Sequence, residues 1–263
     1  MEAQQRMRTW RVQSPCQEGF YEVISPQKSD CRAVYIFRLN LSAGKSHTIC
    51  SGALEMNGAV IAGAAQVEGC GLHDTLSKLD SFYIPAQSEL RVTAAEDLIL
   101  YIGGAAYDGI GEAFTRHFDA SLPLGDLHQI HGSGVFEREV FFTLEPQRPA
   151  SRLLGGLTWG GNGAWTSWPP HQHENDLEEV YCYFDMDAPH MGLHISYLRS
   201  GEEDQAVVHP VQSGTMVLAP RGYHPTVAAP GTRNAYFWVL AAFEHKSRRY
   251  DLSVNDPRMN DLK

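Results

Sequence analysis

Short β-prone segments, separated by glycine and proline turns, recur along almost the whole chain. Examples are AVYIFRLNL (33–41), DLILYIGGA (97–105), GLHISYLRS (192–200) and NAYFWVLAAF (234–243). The 24 glycines and 14 prolines interrupt the chain at short intervals, and no amphipathic helical pattern runs for more than about 12 residues. Short strands at regular spacing are typical of sandwiches and barrels. The sequence therefore predicts an all-β fold.

A coarse internal repeat indicates how these strands are organised. The stretch DSFYIPAQSELRVTAAEDLILYIGG in the first half parallels SGTMVLAPRGYHPTVAAPGTRNAYFWVLAA in the second. Each stretch reads as a strand, a proline turn, a second strand, a short turn and a long apolar strand. Such self-similarity favours two related β-domains. The polar stretch GDLHQIHGSG (125–134) is the expected boundary, which gives domains of residues 1–130 and 131–263.

Charge and hydropathy exclude several classes of partner. The formal net charge is -10 and there is no polybasic run, so a nucleic-acid partner is not expected. The first ten residues lack the apolar region of a secretory signal. The longest apolar stretch, AYFWVLAAF (235–243), is too short to cross a bilayer, so no membrane partner is expected. Five scattered cysteines without a CxxC pair argue against a disulfide framework. We expect a cytoplasmic protein.

The stretch PPHQHENDLEEVYCY (169–183) carries the strongest chemical signal. In an extended segment, His171 and His173 project to the same face. A carboxylate at the start of EVYCY could reach the same centre, and His224, in APRGYHP (219–225), could add a fourth ligand. Three imidazoles and one carboxylate suit a divalent ion such as zinc, manganese, iron or nickel. The alternative is a solvated loop that contains histidines by chance, since the chain has 12 of them.

Two adjacent glutamates compete for the role of metal ligand. In many of the cupins, β-barrel proteins that this segment resembles, four residues separate the second histidine from the glutamate, which would select Glu178. The cupin glutamate normally stands immediately before the apolar run of its strand, here Val180, and this register selects Glu179. Register decides which face each side chain of a strand occupies. The predicted metal ligands are therefore His171, His173, Glu179 and His224.

These motifs resemble those of the cupins, β-barrels with an HxH motif, a following glutamate and a later turn histidine. More closely, PPHQHENDLEEVYCY, GTMVLAPRGYHPTVAAPG and the upstream ASRLLGGLTW resemble the bacterial 5-deoxy-glucuronate isomerases of myo-inositol breakdown. Those are two-cupin proteins akin to the 5-keto-4-deoxyuronate isomerases of pectin breakdown. The resemblance covers most of residues 135–243 and is looser over residues 30–108. It implies two jelly-roll barrels. We expect the C-terminal barrel to bind the metal, with zinc as the preferred ion, and the N-terminal barrel to be a degenerate one without metal.

The resemblance also implies an activity, the metal-assisted isomerisation of 5-deoxy-glucuronate to 5-dehydro-2-deoxygluconate through an enediolate. The expected partner is thus a small sugar acid, and a homo-oligomeric state is left open. Arginine binds carboxylates bidentately, so Arg221 and Arg199 are candidates for the substrate carboxylate. Candidates for the proton-transferring group are Glu178, Tyr181, Tyr183 and His194, which the sequence does not rank. The expected catalytic residues are Glu178, Tyr181 and Arg221. The competing functions are an iron-dependent cupin dioxygenase and a sugar-binding cupin without turnover.

The first half offers no comparable set of ligands. His47 and His73 stand alone, and the turn SFYIPAQSEL (81–90) has no histidine. The pair in HQIH (128–131) has a spacing that suits a helix face, and in a glycine-rich linker it is expected to be a solvated loop.

Overall fold

Two large antiparallel sheets, each built mainly from one half of the chain, form the centre of the structure, a computed structural model that describes residues 1–259. One short helix, α1 (Glu2–Arg8), precedes the strands. The strands of the first half are β1 (Arg11–Gln13), β2 (Gly19–Ile24), β3 (Tyr35–Leu41), β4 (Ser46–Cys50), β5 (Leu54–Ala62), β6 (Ala64–Gly69), β7 (Leu72–Ser77), β8 (Ser81–Ile84), β9 (Glu89–Ala94), β10 (Leu98–Ala106) and β11 (Phe114–Arg116).

The second half continues in the same style. Its strands are β12 (His128–His131), β13 (Arg138–Leu144), β14 (Leu153–Gly160), β15 (Trp165–Thr166), β16 (His171–Gln172), β17 (Leu177–Tyr183), β18 (Gly192–Ser196), β19 (Val207–Val211), β20 (Thr215–Ala219), β21 (Thr226–Ala228), β22 (Ala235–Ala242) and β23 (Val254–Asn255). Single 3₁₀ turns lie at Gly134–Phe136, Glu203–Gln205, His245–Ser247, Tyr250–Leu252 and Pro257–Met259. None of the helices in residues 1–259 has the length and apolar character needed to cross a bilayer.

The strand orders of the two halves correspond position by position. The large sheets run β11-β8-β5-β10-β3-β2 and β1-β20-β17-β22-β14-β13-β12. The smaller four-stranded sheets run β4-β9-β6-β7 and β15-β21-β18-β19. In each half a large and a small sheet enclose one barrel, so the prediction of an all-β fold with two barrels is confirmed. The segments β8–β10 and β20–β22, which the internal repeat paired, occupy equivalent places.

The N-terminal strand does not stay with its own half. Strand β1 pairs with β20, with Val12 opposite Met216, and so adds residues 11–13 to the large sheet of the second half. Strand β12 spans residue 130 and also belongs to that sheet. The histidines of HQIH therefore lie on a strand, and their prediction as a solvated loop was wrong. The domain boundary at residue 130 stays a prediction.

Three apolar clusters hold the structure together. One fills the first barrel and includes Phe82 and Ile102. Another fills the second barrel and includes Phe142 and Trp238. The third draws on both halves, so the two large sheets pack against each other through their outer faces. Sheets that are covered on both faces carry near-continuous apolar strands, which explains why the alternation of polar and apolar residues is weak in β10 and β22.

Strand β17, LEEVYCY, shows how this layering positions the candidate site. Each of its seven residues is buried. Successive side chains of a strand point to opposite faces, and Tyr181 lies in the cluster inside the second barrel whereas Val180 and Cys182 lie in the cluster between the barrels. Glu179 shares the inner face with Tyr181, and Glu178 faces the other half of the molecule.

Candidate metal centre

Four side chains from three parts of the second barrel converge at one point. His171 lies on β16 and His173 just after it, Glu179 lies on β17, and His224 lies in the turn between β20 and β21. One potential ligand atom from each lies within 4.8 Å of all the others. The ring centroid of His224 is 4.9 Å from that of His171 and 5.1 Å from that of His173. The structure thus brings together the four residues that the sequence selected.

Backbone carbonyl groups fix the orientation of all three imidazoles. Nδ1 of His171 lies 3.0 Å from the carbonyl oxygen of Pro169. Nδ1 of His173 lies 3.2 Å from that of Leu177, and Nδ1 of His224 lies 3.1 Å from that of Gly222. A carbonyl oxygen can only accept, so each Nδ1 carries the hydrogen and each neutral ring keeps a lone pair on Nε2.

In this arrangement none of the three imidazoles turns a hydrogen toward the centre of the cluster. Nε2 of His173 lies 3.1 Å and Nε2 of His224 3.3 Å from Oε2 of Glu179. Nε2 of His224 is buried and has no hydrogen-bond partner among residues 1–259. Lone pairs that face one another at these distances repel unless a proton or a cation lies between them. The four residues therefore fit a divalent metal ion, with outer hydrogen bonds of the kind that metal-ligating histidines make.

The protonation states agree with that fit. Burial, followed by the nearby His224 and His173, lowers the pKa of His171 to about 3. Burial by itself would raise the pKa of Glu179, but the proximity of His173 and His224 outweighs it and holds that pKa well below its ordinary value. Metal ligation requires neutral imidazole and ionised carboxylate. At neutral pH these two ligands are already in the state that an ion requires.

Tyr181 supports the carboxylate ligand. Its hydroxyl lies 3.1 Å from Oε2 of Glu179 and 3.1 Å from Oγ of Ser167. Burial, followed by the negative charge of Glu179, raises the pKa of Tyr181 well above its ordinary value, so the hydroxyl stays protonated and donates. Tyr181 is therefore a hydrogen-bond donor beside the site.

The cluster opens into a cavity of about 280 Å³ inside the second barrel. Aromatic side chains form much of its wall, and polar groups from β12, β13 and the C-terminal segment complete it. The lining residues beyond the cluster include His131, Arg138, Ser167, Trp168, Tyr181, Tyr236, Trp238, Arg249, Tyr250, Ser253 and Asn255. A concave site with a few convergent polar groups suits a small molecule.

The C-terminal segment closes one side of this cavity. Strand β23 pairs with β16 so that Asn255 lies opposite His171. The backbone N–H of Asp256 donates to the carbonyl oxygen of Pro170 at 2.8 Å, and the buried Asp256 carboxylate accepts from Tyr197 and Ser200. The segment that carries His171 is thus fixed by residues more than 80 positions later in the chain.

Glu178 lies outside the site, and its predicted catalytic role was wrong. Its carboxylate is fully buried on the opposite face of β17, where it accepts hydrogen bonds from the backbone N–H groups of Arg32, Ala33 and Val34. Neighbouring residues of a strand face opposite ways, so Glu178 and Glu179 cannot serve one centre.

Neither arginine predicted to bind the carboxylate lines the cavity. Arg221 lies 3.4 Å from Asp30 and stacks over the ring of Trp10 on the outside of the barrel. The side chain of Arg199 is 81% exposed and lies 4.0 Å from Glu202. Both predictions were wrong, because proximity in sequence to a ligand or a strand end does not determine which way a long side chain points.

Tyr183 and His194 are buried deeper in the barrel, away from the cavity lining. The hydroxyl of Tyr183 lies 2.9 Å from Nδ1 of His194 and 2.9 Å from Oγ1 of Thr226. These contacts give both residues a structural role in place of the proton transfer suggested for them.

Sequence reasoning overlooked the basic side chains that the cavity does contain. Arg138 lies at the start of β13 in REVFF, on the same face as Val140 and Phe142, which belong to the cluster inside the barrel. This alternation along β13 could have indicated from the sequence that Arg138 faces the interior of the barrel. His131 and Arg249 come from segments without such a pattern.

Comparison with known proteins agrees with this architecture. The KduI/IolB family model matches residues 10–261. A 5-deoxy-glucuronate isomerase from Geobacillus kaustophilus is 31% identical over 169 residues, 61% of this chain and 58% of that protein. The one from Geobacillus thermodenitrificans is 30% identical over 185 residues, 66% of this chain and 65% of that protein. Each match thus spans less than two thirds of the relative, whereas the isomerase from Bacillus subtilis subsp. natto is 25% identical over 89% of both chains.

Two solved structures show the same fold. An IolB-like protein from Salmonella typhimurium LT2 superposes with a TM-score of 0.80 at 23% identity, covering 96% of this chain and 98% of the other. Bacillus subtilis oxalate decarboxylase, described with Mn(II) centres, superposes with a TM-score of 0.63 at 13% identity, covering 93% and 77%. The match of the family model over nearly the whole chain decides the classification: the protein belongs to the KduI/IolB family.

Proposed function

We propose that this protein is an aldose–ketose isomerase that converts 5-deoxy-glucuronate to 5-dehydro-2-deoxygluconate. The observation that carries the proposal is the set of four convergent lone pairs, from His171, His173, Glu179 and His224, at a cavity of about 280 Å³. Family membership and the names of the relatives favour this reaction over others that the fold hosts. The reaction would belong to myo-inositol catabolism in the cytoplasm.

The four residues would hold a divalent ion, with zinc preferred over manganese, iron or nickel. When bound, such an ion supplies Lewis acidity that polarises the sugar carbonyl and stabilises an enediolate. Four protein ligands leave further positions open on ions that accept five or six.

The remaining chemistry is the transfer of a proton from C2 to C1, which falls to groups that line the cavity. Tyr181 keeps its proton and donates a hydrogen bond to the carboxylate of Glu179, so it holds that side chain in place at the edge of the cavity. Burial and the charge of Arg138 lower the pKa of His131, so this imidazole is neutral at physiological pH and can accept a proton. The aromatic wall formed by Tyr236, Trp238 and Tyr250 limits the access of water.

The direct test is anaerobic turnover of 5-deoxy-glucuronate followed by proton NMR, combined with metal analysis. The wild-type protein should lose the aldehyde signal and form the ketone in a metal-dependent reaction. His171→Ala and His224→Ala should lose both the ion and turnover. His190→Ala, at an exposed histidine, is the matched control and should keep both.

Other outcomes would point elsewhere. A full equivalent of metal in both ligand variants would exclude the proposed site. Oxygen uptake that requires ferrous iron, without anaerobic turnover, would identify a cupin dioxygenase. Binding of the sugar acid by calorimetry without any product would identify a non-catalytic sugar-binding protein.

A further inference from the structure

One guanidinium group inside the cavity lacks the partner that the fold gives to other arginines. Arg138 is half-buried, and its Nη1 donates to the carbonyl oxygen of Trp168 at 2.9 Å. Among residues 1–259 it forms no ion pair, and its other nitrogens donate no hydrogen bond. By contrast, Arg116 lies 2.7 Å from Glu145 and Arg152 lies 2.7 Å from Asp108. Removing a charge from water without a partner is unfavourable, so a half-buried, unpaired guanidinium indicates an anion that comes from outside the chain.

The position of Arg138 directs this group toward the metal centre. Arg138 shares the inner face of β13 with Val140 and Phe142, so its side chain enters the barrel. Its one hydrogen bond goes to Trp168, in the segment that leads to His171, which fixes the guanidinium relative to the first ligand.

The charge of Arg138 affects two tyrosines of the cavity wall, and this wall extends to the four clustered side chains. Burial raises the pKa of Tyr250 to about 12, and the positive charge of Arg138 partly opposes that rise. Burial likewise raises the pKa of Tyr236, again against the charge of Arg138. The ring of Tyr236 lies 4.7 Å from that of Tyr181, and Tyr181 contacts Glu179. A molecule that fills the cavity can therefore touch Arg138 with one end and the ligand cluster with the other.

The second arginine at the cavity differs from Arg138. Arg249 is exposed, and its Nη2 lies 2.6 Å from Oδ2 of Asp251, so its fork is already occupied by a carboxylate. Arg138 alone among the cavity arginines of residues 1–259 has its fork available for a ligand.

We infer that Arg138 binds the carboxylate of a sugar acid whose carbonyl end lies at His171, His173, Glu179 and His224. The inference rests on the proposed function and adds the residue that selects an acidic sugar over a neutral one. A guanidinium binds a carboxylate through two parallel hydrogen bonds, which gives geometric selectivity as well as attraction. The site should therefore discriminate between 5-deoxy-glucuronate and 5-deoxy-glucose, which carries a CH₂OH group in place of the carboxylate.

The experiment compares Arg138→Met and Arg138→Lys with the wild type on both sugars, with metal content measured on the same samples. For the uronate, Arg138→Met should raise KM on the order of 100-fold with little change in kcat, because an unpaired charge partner typically costs that much. Arg138→Lys should restore part of the loss. For the neutral sugar, kcat/KM should be the same in wild type and Arg138→Met. Arg199→Met, at an exposed arginine, is the control and should match the wild type on both sugars.

The outcomes separate this inference from the proposed function. An unchanged KM for the uronate, an equal loss for both sugars, or loss of the metal ion in Arg138→Met would each overturn the role of Arg138. If the wild type does not turn the uronate over, the proposed function fails, and calorimetry of uronate binding then decides the inference. A drop in affinity on the order of 100-fold in Arg138→Met would support it, and equal affinity would overturn it.

Discussion

Glu55 and Glu178 form equivalent hydrogen bonds across the interface of the two barrels, each with backbone N–H groups of the opposite barrel. Glu178, on β17, accepts hydrogen bonds from the backbone N–H groups of residues 32–34, just before β3. Glu55, on β5, accepts them from residues 151–153, where the chain enters β14. Strands β5 and β17 hold equivalent places in their sheets, as do β3 and β14. One buried carboxylate of each barrel thus fixes the backbone at the start of an equivalent strand, β3 or β14, in the other barrel.

Removal of either carboxylate should destabilise the fold without emptying the metal site. Glu178→Ala leaves three backbone donors without an acceptor, and each unsatisfied buried donor costs about 1–3 kcal/mol, so we expect a loss of about 3 kcal/mol or more in the free energy of unfolding. Glu178→Gln retains one acceptor oxygen and should lose less. Urea denaturation measures both, with Glu68→Ala, at an exposed glutamate, as a control expected within about 0.5 kcal/mol of wild type.

Metal analysis of Glu178→Gln and Glu179→Gln decides which glutamate binds the ion. Glu178→Gln should keep a full equivalent of metal and Glu179→Gln should lose it. The reverse pattern would contradict the register of β17 and favour the count of residues from His173.

The convergence of the four side chains could be predicted from the sequence because it depends on local rules. His171 and His173 share a face through the period of two, and the register of β17 separates Glu179 from Glu178. His224 followed from a turn motif between two strands. All three signals lie in short segments, and the pairing of strands in the second barrel brings them together.

The substrate end of the cavity could not be predicted in this way. Arg221 and Arg199 are close in sequence to ligands or strand ends, but their side chains lie outside the barrel. The cavity wall comes instead from β12, β13 and the C-terminal segment, whose approach to β16 depends on tertiary packing. The segment EAFTRHF (112–118), whose pattern could suit a short helix, similarly contains the edge strand β11, which pairs with β8.

Two neighbouring glycines of β10 should respond differently to the same substitution. A Cβ at Gly103 would lie 2.5 and 2.7 Å from the two methyl groups of Val239, in the interface of the large sheets. A Cβ at Gly104 would find its nearest atom at 3.3 Å. Overpacking of a rigid core costs about 1–3 kcal/mol. Gly103→Ala should therefore lower the thermal midpoint by several degrees and Gly104→Ala by clearly less; equal shifts would mean that the interface can adjust.

Tyr181→Phe should weaken the metal site while the fold persists. The substitution removes the hydroxyl that donates to Oε2 of Glu179 and leaves the aromatic ring in place. Loss of a hydrogen bond to a ligating carboxylate typically lowers metal affinity by about 10- to 100-fold. Competition with a chelator measures the affinity, and Tyr21→Phe in the first half is the control. An affinity equal to that of the wild type would show that Tyr181 does not orient Glu179.

The free energy of unfolding should depend on pH through His117, a histidine of the first half outside the metal centre. Nδ1 of His117 lies 3.0 Å from Oδ2 of Asp80, and Nε2 lies 3.2 Å from Oδ2 of Asp74. The hydrogen bond with Asp80, together with the charges of both aspartates, outweighs the opposing effect of burial and raises the pKa of His117. A raised pKa in the folded state means that the stabilisation is complete below the unfolded value near ~6.5 and is lost as the pH rises through the folded value. The wild type should therefore exceed His117→Gln in free energy of unfolding by more at pH 5.5 than at pH 9. Because the side chain is 59% exposed, solvent screening keeps the difference below about 1 kcal/mol. An equal difference at the two pH values would show that the imidazolium adds nothing to the stability of the first barrel.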